Sequence, residues 1–176
     1  MSAEWLVPKE PPSDRVLHEL SQQYPHVDPS AVQAWVSLLR VALELHGISN
    51  QHFARHRLSE GRFVVLIMLH TTEGGEMCCS DIAEATGVSR ATVTGLLDGL
   101  ERDGLIMRVD YPEDRRRITI TLTANGRRLL DELLPDHLRR IESVMANLTK
   151  ADRKALRTLL EKVRAGVASV IGTKAG

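Results

Sequence analysis

Between Ser80 and Thr123 the chain carries two short helical patterns separated by Gly87-Val88, then two extended ones, and few folds accommodate that succession. Ser80 suits the N-cap of a first helix holding Ile82, Ala83 and Ala85, since its hydroxyl can accept one of the N–H groups that a helix start leaves unpaired. Gly87 supplies the positive φ that a tight helix–helix turn often needs. Val88 is the apolar turn residue, and Ser89 caps the second helix. Along that helix Val93, Leu96, Leu97 and Leu100 recur at helical spacing and so face the protein interior. The opposite face holds Ala91, Thr94, Gly95 and Asp98, flanked by Arg90 and Thr92. Most of these are small or able to hydrogen-bond, as a helix lying against DNA base edges requires. Gly104 ends the helix as the residue just beyond it.

The continuation narrows the choice of fold. Residues 105–110 form an apolar-rich strand, and in 117–122 Ile118, Ile120 and Leu122 alternate with Thr119 and Thr121. Tyr111 to Arg116 make a polar hairpin tip between them. A helix-turn-helix followed by a β-hairpin is a winged helix. With IAEATGVSRATVTGLLDGLERDGLI, the wing EDRRR and Leu122-Thr123 closing it, residues 30 to 171 resemble the MarR family of bacterial transcription regulators.

The remainder of the chain reads as helical. Residues 1–12, with Pro8, Pro11 and Pro12, form an irregular arm. Ser13 caps a short helix bearing Val16, Leu17 and Leu20, which serves either as a lid on the core or as an arm exchanged between subunits. From Pro29 a long helical pattern runs to about His56, with a kink plausible at Gly47. Ser59 caps the next helix, around Phe63, Val64, Leu66, Ile67 and Leu69; Gly74-Gly75 then turn the chain, and Met77 to Cys79 supply a third short strand. Beyond Thr123, Leu134, Leu138, Ile141, Met145 and Leu148 follow alternating spacings of four and three, a coiled-coil seam that Pro135 should kink or break near Leu134. Thr149 and Asp152 form a capping box for a last helix, which repeats the seam at Leu156, Leu160, Val163, Val167 and Val170. Two such seams exceed what one small domain can cover, which points to burial against a second chain.

The expected fold is therefore mainly α: a winged helix-turn-helix with a small β-hairpin wing and long N- and C-terminal dimerisation helices. The expected organisation is an arm over 1–12, N-terminal dimerisation helices over 13–58, the DNA-binding lobe over 59–123, and C-terminal dimerisation helices over 124–176.

Composition narrows function less. Lys and Arg total 23 against 23 Asp and Glu, so the general basic field of many nucleic-acid binders is absent. Between Val88 and Ile118 six arginines stand against six acids, and affinity for DNA must come from where the arginines sit. The opening MSAEWLVPKEPP lacks the pattern of a secretory signal, and no apolar run approaches the roughly 20 residues that span a bilayer, so a cytoplasmic protein without membrane contact is expected. No Gly-rich phosphate loop, GxSxG, HExxH or CxxC pattern is present, and no enzymatic activity is expected.

Several side chains carry specific expectations. Three consecutive arginines at a hairpin are ordinarily a solvated turn, but after a recognition helix they suit the negative potential of a narrow minor groove. The resemblance implies that Arg116 is the wing-tip arginine, that Asp114 holds it in place, and that Arg115 or Arg117 meets phosphate. Arg90 is placed for a base-edge contact, and Ser89, Thr92 and Thr94 for phosphates or bases. His52 and His56, four apart on a helix, suggest surface histidines near the dimer cleft that line a pocket for a small anionic or aromatic effector; a metal pair lacks further ligands. Cys78-Cys79 raise the alternative of a thiol-based sensor, against which stands the strain of a vicinal disulfide. A winged-helix module that binds protein is the other alternative. No cofactor is expected apart from an effector of unknown identity, and the expected partners are double-stranded DNA and a second copy of the chain.

Overall fold

A computed structural model of the chain describes residues 9–111 and 114–172, with backbone alone for 110, 111 and 114–117. Among these residues the elements run α1 (Asp14–Gln23), α2 (Pro29–Ala54), α3 (Glu60–Thr71), β1 (Glu76–Cys78), α4 (Cys79–Thr86), α5 (Arg90–Arg102), β2 (Ile106–Tyr111), β3 (Asp114–Leu122), α6 (Ala124–Val144) and α7 (Lys150–Gly172). Packing divides them into two units, Met1–Gly126 and Arg127–Gly176.

In the first unit, the ends of the helices follow from their local sequence. The Asp28 carboxylate accepts the Ser30 N–H at 2.8 Å, and Pro29 opens α2 where its missing N–H costs nothing. Gly47 does not interrupt α2, which runs for 26 residues. The helix closes on Arg57, whose φ of 56° is left-handed. The Arg57 N–H donates to Ala54 O (3.0 Å) and the Leu58 N–H to Phe53 O (3.1 Å), the pair of bonds that satisfies a helix's last carbonyls. Ser59 Oγ then accepts the Arg62 N–H at 3.3 Å and starts α3.

The core forms where these helices meet the sheet. Phe53 stacks on Phe63 with centroids 4.3 Å apart, and Leu66, Leu69, Ile82, Val93, Leu97, Leu100, Ile106 and Ile120 are almost wholly buried around them. Burying one large aliphatic side chain contributes about 1.5–3 kcal/mol, so this cluster is what holds the motif in register.

The sheet is antiparallel with order β1-β3-β2, pairing Met77 with Ile120 and Ile106 with Leu122. The third strand expected near Met77 is present as β1. The start of α4 differs from expectation: Ser80 is not its N-cap. β1 pairs through Cys78 opposite Thr119, so the chain leaves the sheet directly into α4, whose N-cap is Cys78; the Cys78 N–H donates to the Asp81 carboxylate at 3.3 Å. The alternation expected along β3 is also modified. Thr119 is buried because β3 is the central strand, and Ile118 is exposed.

The hairpin is longer than expected, with strand structure reaching Tyr111 and resuming at Asp114. The register passes from Asp110↔Ile118 to Tyr111↔Asp114, so Arg115, Arg116 and Arg117 lie on β3 at this irregularity and not in a loop. Pro112 and Glu113 of the expected tip lie outside the described residues.

Thr123 links the wing to α6. Its hydroxyl donates to Gly104 O (2.7 Å) and accepts the Gly126 N–H (3.1 Å). In the second unit α6 continues through Pro135 as one helix, so of the expected kink or break there is no break. Both Pro135 and Asp131, whose carbonyl loses its helical partner, are exposed, so that carbonyl is not sealed in an apolar interior. Thr149 and Asp152 form the expected capping box, with bonds of 2.9 and 3.2 Å. α7 is exposed along its whole length, including Leu156, Leu160, Val163, Val167 and Val170. No helix among the described residues is long and apolar enough to cross a membrane.

Candidate nucleic-acid interface

Gly87 (φ 69°) turns the chain between α4 and α5, donating its N–H to Ala83 O at 2.9 Å. Ser89 caps α5 by accepting the Thr92 N–H at 3.2 Å, and the two hydroxyls stand 2.9 Å apart. Burial of Val93, Leu97 and Leu100 leaves the other face of α5 to solvent: Ser89, Arg90, Ala91, Thr92, Thr94, Gly95 and Asp98 are all exposed. The Thr94 hydroxyl donates back to Arg90 O at 2.9 Å, which leaves its oxygen able to accept. A rigid helix thus presents a ridge of short polar side chains, with one arginine at its N-terminal end.

Two arginines outside α5 hold that helix. Arg62 of α3 donates to Gly99 O at 3.0 Å and to the Asp103 carboxylate, tying down the C-terminal end of α5. The bond from Arg62 is the main reason that the Asp103 carboxyl sits below its usual pKa. Arg108 of β2 reaches Asp98 at 2.7 Å and Glu101 at 2.5 Å, joining the wing to α5. Its own pKa is raised, first by the bond to Asp98, so the guanidinium stays charged. Sequence reading missed both arginines. The only available signal was that Asp98 and Glu101 share one helix face and need a cation from elsewhere.

The histidine expectation changes. His52 is buried, with its ring centroid 5.4 Å from that of Phe53 and 5.6 Å from that of His56, so it is not a surface ligand. The first unit instead holds a cavity of about 720 Å³ between α2, α3, α4 and α5, lined by residues including His46, Asn50, Met68, Val88, Thr92 and Leu96. At its edge His46 Nδ1 lies 2.6 Å from a Glu60 carboxylate oxygen, and Asn50 Nδ2–H donates to His46 Nε2 at 2.9 Å. His46 lies almost two turns before His52 on α2, and it is the histidine that the fold brings to a pocket. Among the described residues no group of three or more His, Cys, Asp or Glu is placed to hold a metal ion. Cys78 and Cys79 are free thiols, both half-buried, with Cys79 Sγ 3.8 Å from Thr94 Oγ1. The backbone of Asp114–Arg117 lies on β3; their side chains are outside the described residues.

A helix-turn-helix with a solvent-facing polar second helix, backed by a three-stranded antiparallel sheet, defines a winged-helix lobe. The family model described as MarR family matches residues 58–118. The HTH-type transcriptional repressor YetL of Bacillus subtilis is 32% identical over 156 residues, covering 86% of this chain and 93% of that protein. The chain therefore belongs to the MarR family, a family of DNA-binding transcription regulators and not of enzymes. Among solved structures, Bordetella bronchiseptica BpsR, described for regulation of its DNA binding by 6-hydroxynicotinic acid, has a TM-score of 0.62 and 33% identity, with 73% of this chain and 96% of that one covered. Streptomyces coelicolor Sco3205, solved in complex with DNA, has a TM-score of 0.74 at 21% identity, covering 80% and 89%, and shares the fold.

Proposed function

We propose that this MarR-family regulator acts in the cytoplasm as a homodimeric repressor that reads an approximately palindromic operator and is released by a small effector. The observation that carries this reading is the exposed ridge of α5, held rigidly to α3 and β2 while leaving Ser89, Arg90, Thr92 and Thr94 free to face a major groove. Arg90 makes the base-edge contact, and the three hydroxyl residues meet phosphates or bases. The wing lies along the neighbouring minor groove, with Arg116 inserted, Asp114 orienting it, and Arg115 or Arg117 on phosphate.

Residues 13–58 and 124–176 supply the dimer interface, and 59–123 the reading lobe. Support comes from the apolar stripe of α7, which is exposed throughout the lone chain. The cavity beside His46, largely apolar with a few polar groups at one edge, suits a small aromatic or anionic effector. It adjoins Thr92 and Leu96 of α5, so a bound molecule reaches the reading helix directly. A coupling of about 1–3 kcal/mol between the two sites is sufficient for release.

Selection of the purified protein against random duplexes near physiological salt tests the proposal. It should enrich a palindrome whose half-site centres lie about one helical turn, roughly 34 Å, apart. A folded dimer that enriches no sequence would overturn it.

A further inference from the structure

Every acid on α5, together with Asp103 at its C-cap, is bonded to an arginine from a different element. Asp103 is held by Arg62 of α3, and Asp98 and Glu101 are both held by Arg108 of β2. Asp98 stands one turn beyond Thr94 on the exposed face, and its side chain is 58% exposed. An unpaired carboxylate there would repel the phosphates that the helix must approach. Arg108 lies on the inner face of the wing, opposite the buried Ile120, and only 29% of its side chain is exposed. The guanidinium is engaged at both ends by protein carboxylates. The guanidinium holds the two acids through separate nitrogens of one rigid planar fork, a geometry that the compact ammonium of a lysine does not reproduce.

We propose that Arg108 is a positioning residue for DNA binding: its single positive charge offsets half of the negative charge that Asp98 and Glu101 place on the recognition helix, without the guanidinium itself touching DNA. This rests on the reading that α5 faces DNA. It also explains how a chain of zero net charge can present a reading surface without a general basic field. The arginines of α3 and β2 offset two of the three negative charges of Asp98, Glu101 and Asp103, which leaves Arg90 and the wing arginines to meet phosphate and bases.

The test measures affinity for the selected operator duplex and for a random duplex. The proteins compared are the wild type, Arg108→Ala, Arg108→Lys, and Arg108→Ala combined with Asp98→Asn and Glu101→Gln. Unmasking two carboxylates should weaken operator binding by about tenfold in Arg108→Ala. Arg108→Lys should recover only part of that loss, and neutralising both acids should restore most of it. A triple variant as weak as Arg108→Ala would mean that the loss does not come from unmasked carboxylates, which overturns masking; so would an Arg108→Ala protein that binds like the wild type. Should Arg108→Ala not fold, Asp98→Asn with Glu101→Gln in the presence of Arg108 decides the matter. It should bind more tightly than the wild type, and equal or weaker binding overturns the proposal. A wild-type protein that selects no duplex overturns the DNA reading itself and is recognised before any variant is measured.

Discussion

At the residue scale, two glycines carry opposite consequences. Gly95 lies in the middle of α5 with nothing within 4 Å of where a Cβ would stand, so the protein's own packing gives no reason for a residue that weakens a helix. Gly95→Ala should stabilise the fold by up to about 1 kcal/mol in a denaturant titration. The added methyl lies on the ridge proposed to meet DNA, so operator affinity should fall in the same variant. At Gly126 a Cβ would stand 2.1 Å from Leu105 O, a backbone atom that cannot step aside cheaply. Gly126→Ala should therefore lose about 1–3 kcal/mol or more, read as an earlier denaturation midpoint. His52 teaches a related lesson: its spacing from His56 was legible, but its burial depends on how α2 packs against other elements, which spacing does not reveal.

At the element scale, helix ends decide how stability responds to acid. Asp28, Asp103 and Asp152 all have carboxyls held below their usual pKa, chiefly by hydrogen bonds from Ser30, Arg62 and Thr149 respectively. A depressed folded-state pKa means that the unfolded chain binds protons first as pH falls. The stabilisation is present above the unfolded value of about 4 and is lost as pH drops through the folded values. Thermal melts from pH 7 to pH 2 should be flat with respect to these groups until about pH 4 and then decline, and Asp103→Asn should shrink that decline. In α7 the Thr149–Asp152 box pairs the N–H groups at the helix start, so Asp152→Ala should lower the temperature at which the helix melts, measured by helical circular dichroism on heating. The Thr149–Asp152 pair was readable because a capping box is a local pattern. The start of α4 was not, because it depends on β1 pairing with β3, whose residues lie some forty positions away in the chain.

At the scale of the whole molecule, the unpaired stripe on α7 calls for a second copy. Replacing Leu160 and Val163 together by Glu should convert a dimer to a monomer in sedimentation experiments and weaken operator binding, because one reading helix is lost from each complex. Periodicity, caps and turn glycines over 80–123 determined the winged helix and the outward face of α5, since each depends on residues within a turn or two of one another. Tertiary structure decided the remainder: which histidine borders a cavity, where the wing arginines sit on β3, and which cation holds Asp98 and Glu101. These depend on elements distant in the chain being set side by side, and a side chain's partner across such a gap is chosen by packing that no local pattern records.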